Sequence, residues 1–244
     1  EYSPQVEPFG IDECWVDMTG TEKLNKGAEA LANEIRERIK FELGITVSIG
    51  VSFNKIFSKL GSDYKKPDAV SVFTRENFRE RIWPLPVSDL LYVGPATTRK
   101  LSKYGIHTIG ELAQTDPQYL QDWFGKLGFV LYSFANGLDT TPVCSTGDEA
   151  IIKSVGNSTT APRDLSCDDD ASIIYWMLSE SVAERMRDDG FLCRTVQIYV
   201  RDNELNWFER QMKLPAPTCL ASDIHATAMT LLRANWHWQK PLRS

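Results

Sequence analysis

The feature that most constrains the fold is a pair of adjacent acidic residues, Asp12 and Glu13, that lies between two short apolar runs. The runs at residues 6–11 and 14–18 predict two strands that meet at a tip. Because neighbouring residues of a regular strand point to opposite faces, the backbone must turn or bulge here if both carboxylates are to serve one site. Two carboxylates held together repel each other, and a divalent cation such as Mg²⁺ relieves that repulsion. The stretch therefore has two interpretations, a metal site or a solvated acidic turn.

Composition limits the classes of protein to which the chain can belong. Its 244 residues, 42% of them hydrophobic, are enough for one to three compact units. No stretch reaches the roughly 20 uninterrupted apolar residues of a membrane-spanning helix. Five cysteines without a Cys-x-x-Cys pair favour reduced thiols, so a cytoplasmic protein without a membrane partner is expected. The net charge of -6 argues against DNA binding through a broad basic surface, so any such contact must depend on local placement.

The segment after the acidic pair predicts a helix followed by a strand. Thr21 is a candidate N-cap, apolar residues recur every three or four positions as far as Leu43, and Gly44 ends the helix. Residues 45–52 alternate and are β-branched, which predicts the strand. If this strand shares a sheet with the first two, the helix covers one face and the carboxylates lie on the open face.

A lysine-rich segment follows that strand. Lys55 and Lys59 are four residues apart, which places them on one face of a short helix, and Lys66 precedes a proline that favours an extended exit. An ammonium group suits a triphosphate or a DNA phosphate, although a lysine run is more commonly a solvated face. Residues 69–73 predict the last strand of this region.

Residues 75–137 predict short helices that are separated by glycine and proline. Ser88 is a candidate cap, a proline follows Gly94 at the first position of a helix, and further helices are expected at 106–113 and after Asp116. A helix-hairpin-helix of this kind makes a phosphate cradle from backbone N–H groups. A small helical bundle with glycine caps explains the pattern equally well.

The last part of the chain returns to a β-α-β-β-α pattern after a linker. Residues 138–150 are rich in Gly, Thr, Pro and acidic residues and lack periodicity, which predicts the linker. The elements predicted beyond it are a strand at 151–160, a helix at 168–189, strands at 193–201 and 206–214, and a helix that ends at Trp236.

Four segments resemble Y-family (translesion) DNA polymerases of the bacterial polymerase IV type. They are YSPQVEPFGIDE, SIGVSFNKIFSKLGSDYKKPDA, LLYVGPATTRKLSKYGIHTIGELA and KSVGNSTTAPRDL, in the order that the family has them. The chain departs from the family pattern at Gly10, where serine is usual, at Asp68, and at Pro95 and Ala96 in the hairpin.

The resemblance implies a multidomain α/β and α+β fold. Its parts are a partial palm sheet with helices at 1–74, a helical helix-hairpin-helix thumb at 75–137, the linker at 138–150 and an incomplete β-α-β-β-α little finger at 151–244. It also implies an internal fragment that lacks the first palm strand with its aspartate, the fingers and the end of the little finger. Such a fragment is expected to be inactive by itself.

The activity implied for the parent protein is template-directed DNA synthesis past damaged bases with two Mg²⁺ ions. The resemblance makes Asp12 and Glu13 metal ligands and gives Lys66 a contact with the triphosphate. Primer-template DNA and a deoxynucleoside triphosphate are the implied partners, and a sliding clamp is a candidate partner of the full-length protein. The predicted DNA contacts are Lys55, Lys59, Gly94, Ala96, Thr97, Lys100, Ser154, Gly156, Asn157, Ser158, Thr159, Arg163, Arg194 and Arg201.

Two other functions stay open on the sequence. The hairpin and the terminal domain suit a non-catalytic DNA-binding module, and the acidic pair beside a helix-hairpin-helix suits a metal-dependent nuclease.

In the terminal domain, small residues around Gly156 let backbone N–H groups approach phosphates. Arg194 and Arg201 lie an odd number of residues apart, so at most one of them faces DNA if the strand is regular.

Overall fold

The computed structural model describes residues 2–20, 27–145, 147 and 152–244. The chain divides into two compact units, a first unit of Glu1–Glu149 and a second unit of Ala150–Ser244. Within the described ranges, no helix combines the length and the apolar character that crossing a membrane requires.

The first unit begins with a short antiparallel hairpin. Strand β1 (Val6–Pro8) pairs with strand β2 (Cys14–Val16), and Glu7 lies opposite Trp15. The loop between them is closed by a 2.8 Å hydrogen bond from the Phe9 N–H to the Glu13 carbonyl. Both predicted strands are confirmed, but each is shorter than its apolar run because the loop takes residues from the first run and the pairing stops at Val16.

Helix α1 (Ala28–Leu43) ends as the sequence predicts, because Gly44 adopts the left-handed conformation and its N–H donates to the Lys40 carbonyl at 3.2 Å. The predicted cap at Thr21 lies outside the described residues. The predicted strand at 45–52 is confirmed only over β3 (Ile49–Val51).

Strand β3 pairs in parallel with β4 (Val70–Val72), which lies within the strand predicted at 69–73. The expectation that β3 shares a sheet with the hairpin is wrong for the residues that the structure describes, where β1–β2 and β3–β4 form separate sheets. The reason is that the hairpin is joined through side chains to helix α2 (Lys55–Tyr64). The Trp15 indole N–H donates to the Lys55 carbonyl at 3.0 Å.

Helix α2 lies unusually close to β3 because two glycines face each other. A Cβ atom at Gly50 would be 1.9 Å from the Ser58 carbonyl oxygen, and one at Gly61 would be 2.9 Å from the Gly50 Cα. The helix begins at Asn54, whose side chain accepts a 2.8 Å hydrogen bond from the Phe57 N–H. These contacts fix the position of α2, which carries the lysines described below.

Short helices follow, as the sequence predicts. They are α3 (Phe78–Ile82), α4 (Pro95–Lys103), α5 (Ile109–Gln114), α6 (Pro117–Phe124) and α7 (Lys126–Ala135). The proline start of α4 and the Asp116 cap of α6 are confirmed. The cap expected at Ser88 is wrong, because this residue lies inside a 3₁₀ turn that begins after Pro86. Helix α5 begins later than predicted because Thr108 and Glu111 form a capping box.

One apolar core runs through the first unit. Its fully buried side chains include Phe57 of α2 and Phe73 after β4, together with Ile82, Leu101 and Leu120 of the helical region. The α2 layer and the helices therefore pack against each other within one compact unit.

The second unit packs two helices against a two-stranded sheet. Its elements are α8 (Asp168–Asp188), β5 (Cys193–Arg201), β6 (Trp207–Thr218) and α9 (Ala221–Asn235). The two strands are antiparallel, and Val196, Ile198 and Val200 face the core with Leu232 of α9. The strand predicted at 151–160 is wrong over the described residues 152–160, which have no ladder partner.

Candidate active site at the hairpin tip

The acidic pair lies in the loop that joins β1 to β2. Gly10 has a φ of 78°, a left-handed conformation that favours glycine over the serine that is usual in the family. The chain bends through residues 10–12, so the turn expected near the acids is present. Asp12 is exposed, whereas Glu13 is partly buried and its Oε1 accepts a 2.8 Å hydrogen bond from Lys59 Nζ.

A row of ion pairs connects Glu13 to Lys66 along α2. Lys59 Nζ is also 2.9 Å from Asp63 Oδ2, and the other oxygen of Asp63 binds the Lys66 ammonium. Burial alone would lower the pKa of Lys59, but the hydrogen bonds to Glu13 and Asp63 outweigh it, so this pKa is raised. Burial would raise the pKa of Asp63, and the two ammonium groups reverse this, so the carboxylate pKa is lowered. Lys59 and Asp63 therefore stay charged near neutral pH.

Lys55 anchors the hairpin to α2. Its side chain is only 8% exposed, its ammonium binds Glu7, and it lies 5.2 Å from the centre of the Trp15 ring. The hydrogen bond from Lys55 lowers the pKa of Glu7 despite burial, and the Cys144 N–H also donates to this carboxylate at 2.9 Å. In this structure the Lys55 ammonium is engaged in an ion pair within the protein. The DNA contact predicted for Lys55 stays a prediction.

The backbone beyond Lys66 is anchored to α1. Asp68 has a φ of 50°, and its carboxylate binds Lys40 at 2.6 Å and the guanidinium of Arg36. These two partners, Lys40 first, lower the pKa of Asp68. The departure from the family pattern at this position thus creates a link that fixes the exit from α2. Lys66 itself is 53% exposed and faces solvent beside Asp63.

The chemistry of the acid pair fits a hard divalent cation. Carboxylate oxygens are the ligands that Mg²⁺ prefers, and Mg²⁺ characteristically uses one or two carboxylates and keeps other positions for water or phosphate oxygens. Among the residues that the structure describes, no group of three or more His, Cys, Asp or Glu side chains could hold a metal ion. The carboxylates of Asp12 and Glu13 are ligands of the type that such a cation prefers.

The predicted phosphate cradle lies at the start of α4. Gly94 precedes the helix without a side-chain cap, so the first-turn N–H groups of Ala96 and Thr97 are donors without intrahelical partners. Lys100, predicted to contact DNA, donates to the Trp123 carbonyl, and its ammonium lies 4.6 Å from the centre of the Phe124 ring.

In the second unit, most of the predicted DNA contacts line one groove of about 1150 Å³. It lies between the segment 153–161, α8 and β5. Its walls include the predicted residues Ser154, Gly156, Asn157, Ser158, Thr159, Arg194 and Arg201. The segment is tied to α8 by hydrogen bonds from Arg185 to the Gly156 carbonyl at 2.6 Å and from Asn157 to Ser181 at 3.0 Å.

The three arginines predicted in this unit have different surroundings. Arg163 does not line the groove, because its guanidinium forms a bidentate pair with Asp170 at 2.6 and 2.9 Å. The guanidinium of Arg201 donates to the Tyr199 hydroxyl at 3.1 Å. Arg194 lies at an irregularity in the pairing of β5 with β6. The argument that at most one of Arg194 and Arg201 faces DNA assumes a regular strand, so it does not apply here.

Sequence reasoning missed three side chains that shape the tip, namely Glu7, Asp63 and Trp15. For Asp63 a signal was available, because it lies four residues after Lys59 and three before Lys66, the spacings at which helical side chains meet. For the other two no local signal exists, since their partners on α2 lie at least 40 residues away in the chain.

Comparisons with known proteins agree along the whole chain. The impB/mucB/samB family matches residues 1–63, the DNA polymerase-iota thumb domain matches 88–139, and the impB/mucB/samB family C-terminal domain matches 152–244. DNA polymerase IV of Acetivibrio thermocellus is 50% identical over 243 residues, which are 100% of this chain and 61% of the relative. The chain belongs to the Y family of DNA polymerases. DNA polymerase IV of Moorella thermoacetica is 38% identical over 236 residues, 97% of this chain and 59% of the relative.

This Y-family chain thus spans about three fifths of the length of the curated relatives that it matches. Solved structures share its fold. A Y-family chimera of Dbh and Dpo4 has a TM-score of 0.83 at 19% identity and covers 99% of this chain and 69% of the chimera. DinB from Sulfolobus solfataricus has a TM-score of 0.54 at 19% identity and covers 99% of this chain and 70% of that one. The expected mixed α/β fold class is confirmed.

Proposed function

We propose that this chain is part of a DNA polymerase that extends primers past damaged template bases, and that the hairpin tip is part of its catalytic centre. The observation that carries the proposal is the row of charges from Glu13 through Lys59 and Asp63 to Lys66, which brings carboxylates and a solvent-exposed ammonium group to one side of α2. The names of the relatives support the reaction class. Because the chain spans about three fifths of their length, the activity is proposed for the longer protein.

Asp12 and Glu13 would hold Mg²⁺ in this protein. Bound Mg²⁺ supplies activation of the primer 3′-hydroxyl and neutralisation of charge on the triphosphate. Lys66 is exposed, and its partner among the described residues is Asp63. Its flexible side chain can therefore bind a phosphate oxygen at the cost of one solvent-screened ion pair. The carboxylates of Asp12 and Glu13 are expected to face the same open surface.

DNA binding is assigned to two surfaces, one in each unit. The uncapped N-terminus of α4 offers backbone donors at Ala96 and Thr97, and small polar residues line the groove around Gly156. Backbone donors explain how a chain with a net charge of -6 binds a polyanion. Primer-template DNA and a deoxynucleoside triphosphate are the proposed partners, and the sliding clamp and the cytoplasmic location stay predictions.

The decisive experiment replaces each acid in the full-length protein. Asp12→Asn and Glu13→Gln are expected to lower nucleotide addition by about 10³-fold or more while primer-template affinity changes less than about two-fold, since the acids act only through the metal. Asp169→Asn, which changes an exposed acid of α8, is the matched control and is expected to retain activity.

The two other functions give different results in the same experiment. Near-normal extension by either acid variant contradicts the proposal and favours a binding module. Strand cleavage without added nucleotide, lost in Asp12→Asn, favours a nuclease.

A further inference from the structure

Lys59 supplies the positive charge beside the acid pair in this structure. Its side chain is 18% exposed, and its ammonium lies 2.8 Å from Glu13 Oε1 and 2.9 Å from Asp63 Oδ2. Lys59 and Asp63 are one turn apart on α2, whereas Glu13 belongs to the hairpin loop. The pair with Glu13 therefore joins two elements, and the pair with Asp63 persists when that link opens.

We propose that Lys59 is a positioning residue that holds Glu13 until a divalent cation binds and then keeps only its pair with Asp63. This inference rests on the proposed metal site at Asp12 and Glu13. The ammonium and the cation are both positive and compete for the same carboxylate, so Lys59 weakens cation binding. In return, it offsets the repulsion between the two acids while no cation is bound.

Asp63 connects this exchange to the exposed lysine. It divides its two oxygens between Lys59 and Lys66. When a phosphate draws Lys66 away, the whole charge of Asp63 acts on Lys59, which favours release of Glu13. Phosphate binding at Lys66 and cation binding at Glu13 are thus expected to strengthen each other, because such coupling is reciprocal.

The test is a titration of the full-length protein with Mn²⁺ near physiological ionic strength, in which free Mn²⁺ is read by electron paramagnetic resonance. Lys59→Gln is expected to bind Mn²⁺ at least about five-fold more tightly than wild type, the lower end of couplings between sites. Lys59→Arg keeps the charge and is expected to resemble wild type. Lys65→Gln removes the same charge from an exposed neighbour and is expected to change the affinity less than about two-fold.

Asp63→Asn tests whether Asp63 influences cation binding through Lys59 or directly through its own charge. It is expected to weaken Mn²⁺ binding roughly two-fold or more in wild type, because Lys59 then has only Glu13, and to have little effect in the Lys59→Gln background. An equal effect in both backgrounds contradicts a route through Lys59. If circular dichroism shows that Lys59→Gln does not fold, unchanged or tighter binding by Asp63→Asn overturns the inference.

Asp12→Asn distinguishes failure of the inference from failure of the metal site. Binding that requires Asp12 but is not tightened by Lys59→Gln overturns the role of Lys59 and leaves the metal site in place. Binding that is absent from all variants, or that is insensitive to Asp12→Asn, overturns the proposed metal site together with the inference.

Discussion

The contact of α2 with β3 and the groove of the second unit differ in how tightly they are built. A Cβ atom at Gly50 would lie 1.9 Å from a backbone oxygen of α2, whereas one at Gly156 would meet nothing within 4 Å. The first region carries a buried ammonium at Lys55 and ion pairs between separate elements, whereas the second combines small polar side chains of the segment 153–161 with apolar side chains of α8 and β5. Orienting a reacting group requires fixed geometry, whereas positioning a duplex through its backbone tolerates an open surface.

The comparison is tested most strongly at the two glycines. Gly50→Ala is expected to lower the free energy of unfolding of the chain by about 3 kcal/mol, because α2 must move away from β3. Gly156→Ala is the matched control and is expected to change it by less than about 0.5 kcal/mol. Urea denaturation followed by circular dichroism measures both. Equal stabilities for the two variants would show that the first region is not the more tightly packed.

Breaking the ion pair between Lys55 and the hairpin residue Glu7 is expected to have the next largest effect. Lys55→Met leaves the Glu7 carboxylate without its ammonium partner and is expected to destabilise the chain by about 2 kcal/mol. Adding Glu7→Gln is expected to recover part of the loss, since no uncompensated charge then remains. The control is Lys240→Met, which breaks an exposed pair with Glu204 and is expected to leave the melting temperature nearly unchanged. A similar loss in both variants would contradict a special role for the hairpin pair.

The groove is tested by placing a negative charge at Gly156. Gly156→Asp is expected to weaken binding of primer-template duplex about five-fold at low salt, because the carboxylate repels phosphates, and this difference should shrink as salt screens it. Gly156→Ala is expected to bind like wild type. Fluorescence anisotropy at several salt concentrations measures both. For wild type, we expect the second unit to contribute only about two to four phosphate contacts to the salt slope. Unchanged binding by Gly156→Asp would place the DNA-facing surface elsewhere.

The smallest expected effect concerns acid stability of the second unit. The Arg163 guanidinium and the Ser166 N–H lower the pKa of Asp170 far below its ordinary value. The stabilisation is therefore present above the pKa of about 3.9 in the unfolded chain and is lost as pH falls toward the folded pKa. Asp170→Asn should melt slightly below wild type at pH 6, and the difference between the two melting temperatures should shrink as the pH falls from 4 toward 2. A constant difference over this range would contradict the assignment.

Local features of the fold could be predicted because their causes lie within a few residues. The Gly44 cap of α1, the proline start of α4 at Pro95 and the shared helical face of Lys55 and Lys59 all follow from spacing or backbone preference. The strand expected at 151–160 failed for the opposite reason. A strand requires a partner, and a strand-like stretch of sequence does not determine whether a partner is present.

Spacing and motifs were enough to predict that two acids lie at a turn, that lysines follow on one helix and that the chain resembles a polymerase family. The packing of the chain was needed to show that Lys55 is buried against Glu7, that Lys59 reaches Glu13 and that, within the described residues, the hairpin and β3 belong to separate sheets. The physical reason is that spacing fixes which side chains share an element. Which charges become partners depends on contacts between distant elements, such as the hairpin and α2, whose paired residues lie 46 and 48 positions apart in the chain.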